Sequence, residues 1–106
     1  MAIVNNKLIR KNTTRQEDAS DLDRQLSRIE EDVRKLKIDF DIYFNGATKR
    51  PPFEARARLE AKMKRLADNR SLTYAQRYLY NGLMSTYTSY RELWRRTLRA
   101  RGEDLI

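Results

Sequence analysis

Residues 22–43 read LDRQLSRIEEDVRKLKIDFDIY, and the apolar side chains of this stretch recur in alternating steps of four and three. The residues at these positions are Leu22, Leu26, Ile29, Val33, Leu36, Phe40 and Tyr43. Such spacing is typical of an α-helix that buries one narrow stripe, as in coiled coils. We therefore expect a first helix over about residues 16–44, ended by Gly46 because glycine readily adopts the left-handed C-cap conformation.

A second helix follows a short connection. Pro51 and Pro52 preset an extended entry, which predicts a helix over about residues 52–68. Its apolar residues recur at helical spacing and predict the buried face Ala55, Leu59, Met63 and Leu66.

A third helix begins at a capping box. Thr73 and Gln76 have the required spacing, which predicts a helix over about residues 73–101 that stops at Gly102. Its apolar stripe is predicted to contain Leu79, Tyr80, Leu83, Tyr87, Tyr90, Leu93, Trp94 and Leu98. Gly82 interrupts the stripe and predicts either close backbone packing or a mild kink.

The composition supports one helical domain. The chain has 106 residues, of which two are proline and three are glycine, so the turns that a many-stranded fold needs are missing. We expect an all-α fold, an elongated three-helix up-down-up bundle with coiled-coil character in its first helix. The bundle would span residues 15–102, between a flexible basic arm at residues 1–14 and a short acidic tail at residues 103–106.

The residues that common catalysis requires are missing from the sequence. The chain has no cysteine and no histidine, so thiol chemistry and the usual general base near neutral pH are excluded. Glu30, Glu31 and Asp32 are adjacent and point to different sides of a helix, so they cannot converge on one ion or substrate. We expect no enzyme activity, metal, cofactor or small-molecule substrate. No apolar run approaches the length of a membrane span, and we expect a cytoplasmic protein.

Charge is distributed unevenly along the chain. Its net charge is +8, with 36% charged residues. Residues 1–15 carry +4, residues 16–45 carry −4, residues 46–102 carry +10, and the last four residues carry −2. An acidic first helix is thus joined to a strongly basic remainder.

Helix lengths predict two uncovered ends. At 1.5 Å per residue the second helix would be roughly 25 Å long and shorter than both others, so it cannot cover the whole first helix, and the third would overshoot. The residues left for a protein partner would be Leu22, Leu26, Ile29 and Val33 at one end and Trp94 and Leu98 at the other. The alternative is that the stripe from Leu22 is simply the core of its own bundle.

The expected function is a non-enzymatic helical protein–protein interaction, as an adaptor or a self-assembling scaffold, with a coiled-coil or head-to-tail contact. The alternative is a nucleic-acid-binding or ribosome-associated basic protein. Its contacts would be Arg91, Arg95, Arg96, Arg99 and Arg101 together with Lys7, Arg10 and Lys11 of the arm. The patch around Trp94 is too short to favour a membrane surface as the partner.

Overall fold

A computed structural model describes the backbone of residues 2–103 and the side chains of residues 19–103. It contains three α-helices, α1 Ala2–Phe44, α2 Phe53–Ala67 and α3 Tyr74–Ala100. No strand occurs among the residues with a described backbone, so the predicted all-α class is confirmed. Within the described residues, no helix combines the length and apolarity needed to cross a membrane.

The predicted caps form at three helix ends. The Thr73 side chain accepts a hydrogen bond from the Gln76 backbone N–H, and the Gln76 side chain accepts one from the Thr73 N–H, which completes the capping box of α3. Gly46 and Gly102 adopt φ of 84° and 74°. Because such left-handed angles are costly for other residues, glycine at these positions ends α1 and α3 at the predicted places.

The predicted stripe of α1 forms the centre of the core. All seven of its side chains, from Leu22 to Tyr43, are buried within the single chain. α2 contributes Leu59, Met63 and Leu66, and α3 contributes Tyr80, Tyr87, Trp94 and Leu98. The burial of these residues confirms most of the predicted core, while Leu79 and Leu93 of the predicted α3 stripe are about half exposed.

Both shorter helices pack on α1. Phe53 at the start of α2 lies 6.5 Å from Phe40, measured between ring centroids, and Lys62 forms an ion pair of 3.2 Å with Asp32. Burial of the Tyr80 hydroxyl is compensated by a hydrogen bond that it donates to the backbone carbonyl of Met63 in α2. Apolar packing on α1 and polar contacts between α2 and α3 therefore hold the helices together.

α1 is longer than the sequence pattern indicates. It begins at Ala2 rather than near residue 16. The predicted flexible arm at residues 1–14 falls where no side chain is described, and residues 104–106 of the predicted tail also lie outside the described part. The arm and the tail stay predictions.

Candidate interaction surfaces

The side chains predicted to bind a protein partner fill the core instead. Relative exposures are 5% for Leu22 and 2% for Trp94, and the rest of the set, Leu26, Ile29, Val33 and Leu98, is equally buried. The prediction of uncovered ends is therefore wrong, because α3 starts level with the beginning of the stripe rather than beside the end of α2. The connection between Ala67 and Tyr74 carries the chain to that level. The assignment of these residues to an interface stays a prediction that their burial does not favour.

Gln76 fixes the start of α3 against α1. Its side chain is buried, and its Nε2 donates hydrogen bonds to the Ala19 carbonyl at 3.2 Å and to Asp23 Oδ1 at 2.7 Å. Its Oε1 accepts from the Thr73 N–H. A buried amide with this many partners sets the height of α3 along α1 and closes this end of the bundle.

Aromatic side chains close the other end. Trp94 stacks on Phe40 at 4.2 Å between centroids, and Tyr87 and Tyr90 both lie 6.0 Å from Trp94. Tyr87 donates a hydrogen bond of 2.7 Å to Glu60, and its burial and this bond raise the pKa of its hydroxyl above the ordinary value. Such packing leaves no apolar surface at Trp94 for a partner.

Beyond the aromatic cluster, polar and charged side chains lie at this end of the bundle. Tyr43 donates a hydrogen bond to Glu103, which raises the pKa of the Tyr43 hydroxyl. The Arg101 guanidinium lies 5.2 Å from the Tyr43 ring and 5.5 Å from the Phe44 ring, and it pairs with Glu103 at 3.1 Å. Arg101 thus has a structural role as a cation stacked on aromatic rings.

The residues predicted to contact nucleic acid differ in their surroundings. Arg91 pairs with Glu60 at 3.4 Å, and Arg95 pairs with Glu92 at 2.7 Å, a contact that lowers the pKa of the Glu92 carboxyl. Arg96 and Arg99 are exposed on the last turns of α3. Lys7, Arg10 and Lys11 lie outside the described side chains.

A long part of α3 carries no charge at all. The thirteen residues between Arg77 and Arg91 contain no Asp, Glu, Lys or Arg, although the composition of the chain would place about five charges there. We call the exposed residues of this segment the neutral face; they are Tyr78, Leu79, Asn81, Gly82, Met84, Ser85, Thr86, Thr88 and Ser89. Relative exposures reach 75% at Tyr78 and 55% at Leu79. Solvent-exposed helix positions normally carry charges in such a chain, so their absence requires an explanation.

Gly82 leaves a depression in this surface. A Cβ atom placed on Gly82 would meet no other atom within 4 Å, so the predicted close backbone packing does not occur within the chain. The depression belongs to a groove between α1 and α3. This α1/α3 groove is lined by Tyr78, Leu79, Gly82, Leu83 and Thr86 of α3 and by Asp23, Leu26, Ser27 and Glu30 of α1. It is apolar and neutral on the α3 side and polar with two carboxylates on the α1 side.

Other chemistry is not apparent in the described part of the chain, where no group of three or more carboxylates could hold a metal ion. Comparison of the sequence with protein families, with curated proteins and with solved structures finds no match. The surface of the molecule is therefore the basis for a functional proposal. Periodicity alone missed the neutral face, but the run without charge from 78 to 90 is visible in the sequence.

Proposed function

We propose that this protein is a non-enzymatic helical interaction protein, an adaptor or self-assembling scaffold, and that the neutral face of α3 is its contact surface. The observation that carries the proposal is the absence of charge from nine exposed positions of one helix in a chain with 36% charged residues. Protein interfaces are depleted in charged residues at their centre, since burying an ion costs free energy, and they are enriched in Tyr and Met. Tyr78 and Met84 belong to the neutral face.

Exposed apolar side chains add a thermodynamic reason. Tyr78 and Leu79 stand next to each other in solvent, and burying a large apolar side chain contributes roughly 1.5–3 kcal/mol. Such residues are favourable anchors for a partner, particularly beside the depression at Gly82, where a partner can approach the backbone of α3.

The arrangement of the helices supports this proposal. We infer an up-down-up bundle in which the apolar stripe of α1 packs as in a coiled coil. The direction of each helix follows from the order in which its residues contact α1. Phe53 contacts Phe40, whereas Lys62, further along α2, contacts Asp32. Along α3 the order is reversed, since Gln76 contacts Ala19 and Trp94 contacts Phe40. Four residues of the neutral face, Tyr78, Leu79, Gly82 and Thr86, line the α1/α3 groove.

A pull-down with matched variants tests the proposal. Ser85→Lys with Ser89→Lys places two charges on the neutral face, and Ala57→Lys with Ala61→Lys places the same charges on the exposed side of α2. Lysine favours helices, so neither change should disturb folding. Proteins retained from a nuclease-treated lysate by the wild type and the α2 variant should be lost from the neutral-face variant. Retention of the same proteins by all three chains would contradict the proposal.

A second candidate, nucleic-acid binding, rests on the outward side of α3. Tyr74 and Tyr78 are four residues apart and strongly exposed, and Arg96 and Arg99 lie on the same side near the end of the helix. Exposed rings stack on bases, and guanidinium groups bind phosphates. If this function is correct, binding to single-stranded DNA weakens steeply with salt, and changing both arginines to alanine reduces that slope. If the protein does not bind single-stranded DNA at low salt, nucleic-acid binding is excluded as its function.

A further inference from the structure

The α1/α3 groove has the features of a seat for another helix. Leu79 and Thr86 of the groove are exposed, and Leu93 continues the same line along α3 at seven-residue intervals, with Leu83 and Tyr90 between them and half-buried. Steps of four and three along this line match the spacing by which helices pack in coiled coils. α3 thus carries a second apolar stripe beside the one that packs on α1, and no described residue covers it.

Charge on the α1 side selects the kind of helix that fits. Asp23 and Glu30 line this wall, and residues 16–32 of α1 together carry seven acids and two bases, a net charge of −5. A segment that fits the groove needs apolar side chains toward α3 and cations toward α1. Residues 1–15 of the chain meet both needs, since they contain four bases, no acid and the apolar residues Val4 and Leu8.

This segment cannot reach the groove of its own molecule. α1 is one continuous helix from Ala2 to Phe44, and its residues 2–15 precede the Gln76 contact with Ala19, where the bundle begins. A segment from a second copy meets no such restriction. When two α1 helices lie antiparallel, the basic part of each meets the acidic part of the other, whereas a parallel pair would place like charges together.

We propose that residues 1–15 of one copy of the chain dock into the α1/α3 groove of a second copy, so that two copies exchange these segments around a twofold axis. Each copy then supplies one segment and one groove, which closes the assembly as a dimer. Centring the axis at the boundary between the basic and acidic parts of α1 places Leu8 of one copy beside Asp23 of the other, and therefore level with Leu79 in the groove. This inference deepens the proposed function and rests on it, since the groove shares Tyr78, Leu79, Gly82 and Thr86 with the neutral face.

A charge exchange tests the pairing. One variant reverses the segment, with Lys7→Glu, Arg10→Glu and Lys11→Glu, and the other reverses the groove wall, with Ser27→Lys and Glu30→Lys. We expect the wild type to sediment as a dimer at low salt, and each variant alone to dissociate with a dissociation constant about ten- to hundredfold higher. Mixing the two variants should restore a dimer, because the reversed segment then meets the reversed wall. Reversing Arg24 and Lys35 to glutamate, which lie on α1 outside the groove, should leave the dimer intact.

Disulfide trapping gives a readout of geometry that does not depend on charge. The chain has no native cysteine, so a Leu8→Cys chain mixed with a Leu79→Cys chain should form a covalent dimer on oxidation. An Ala61→Cys chain, with its thiol on α2, should not cross-link to Leu8→Cys. Cross-linking of both pairs at the same rate would overturn the proposed register.

The failure of this inference can be told apart from the failure of the proposed function. A wild-type chain that stays a monomer at high concentration and low salt, or a mixture of variants that does not re-associate, overturns the segment exchange. If the neutral-face lysines still abolish capture of another protein from a lysate, the interaction surface stands with a different partner. If binding of nucleic acid is lost when the segment is reversed while the wild type stays a monomer, residues 1–15 serve nucleic acid and the exchange is again overturned.

Discussion

The replacement of Leu26 by alanine distinguishes a core side chain from an interface side chain. Leu26 is 4% exposed and lies among the packed residues of α1, so truncation removes buried methyl groups and leaves a cavity. Core Leu→Ala changes cost about 2–5 kcal/mol, a large part of the about 5–15 kcal/mol by which domains of this size are stable. If Leu26→Ala lowers the free energy of unfolding by about 3 kcal/mol, the melting temperature should fall by about 12–24 °C.

The control is the same substitution at Leu79, which is 55% exposed on α3. Both positions are helical, so the change in helix propensity cancels and only burial differs. Leu79→Ala should change stability by no more than about 0.5 kcal/mol. Urea unfolding followed by circular dichroism at low protein concentration measures both values without a contribution from self-association. If both variants lose equally little stability while Leu26→Ala dissociates an assembly, the burial of Leu26 within the monomer is refuted.

Three further changes have defined outcomes. Gly82→Ala should raise the free energy of unfolding by about 0.5–1 kcal/mol, because the added methyl group meets no atom and alanine favours the helix. Thermal unfolding measures this change, and a loss of stability would contradict the open space at this position. Gln76→Ala should lower the free energy of unfolding by about 1–3 kcal/mol, because it removes a cap and buried hydrogen bonds. Gln25→Ala on the surface should be nearly neutral. Equal losses of stability in urea unfolding would argue against a structural role of Gln76. The pKa of the Tyr87 hydroxyl is raised in the folded protein. The stability that Tyr87 contributes is therefore fully present below the unfolded pKa of about 10 and is lost as pH rises above that value. Stability measured in urea should therefore fall in this alkaline range, and less so in Tyr87→Phe; equal slopes for the two chains would exclude this explanation.

The helical core could be predicted from the sequence because its signals are local. The spacing from Leu22 to Tyr43 identifies a buried stripe whatever that stripe packs against, and the cap at Thr73 and the glycine at Gly102 need only neighbouring residues. All of these were confirmed by burial or by backbone geometry.

The positions of the helices relative to one another could not be predicted in the same way. The height of α3 along α1 depends on the path of the connection before Tyr74 and on the buried contacts of Gln76, and both join residues far apart in the sequence. An error of a few residues in that height turns the covered side chains of Leu22 and Trp94 into exposed ones. The prediction that these residues lie uncovered was wrong for this reason, although they were correctly identified as apolar positions of helices.

The neutral face required both kinds of information. The sequence shows that residues 78–90 lack charge, but a buried helix would also lack it. The structure adds that Ser85 and its exposed neighbours face solvent, and our proposal of a contact surface depends on the missing charge and this exposure together.

Photocrosslinking from the centre of the neutral face tests the interaction surface most directly. A photoreactive amino acid at Ser85, introduced in the cells that make the protein, reports which molecules touch this face, and the same amino acid at Ala61 on α2 is the control. Both positions are exposed and helical, so the probe itself should be tolerated equally. We predict a discrete protein adduct from position 85, either a second copy of the chain or another protein, and none from position 61. The absence of an adduct at position 85, or the same adduct at both positions, would contradict the proposed function.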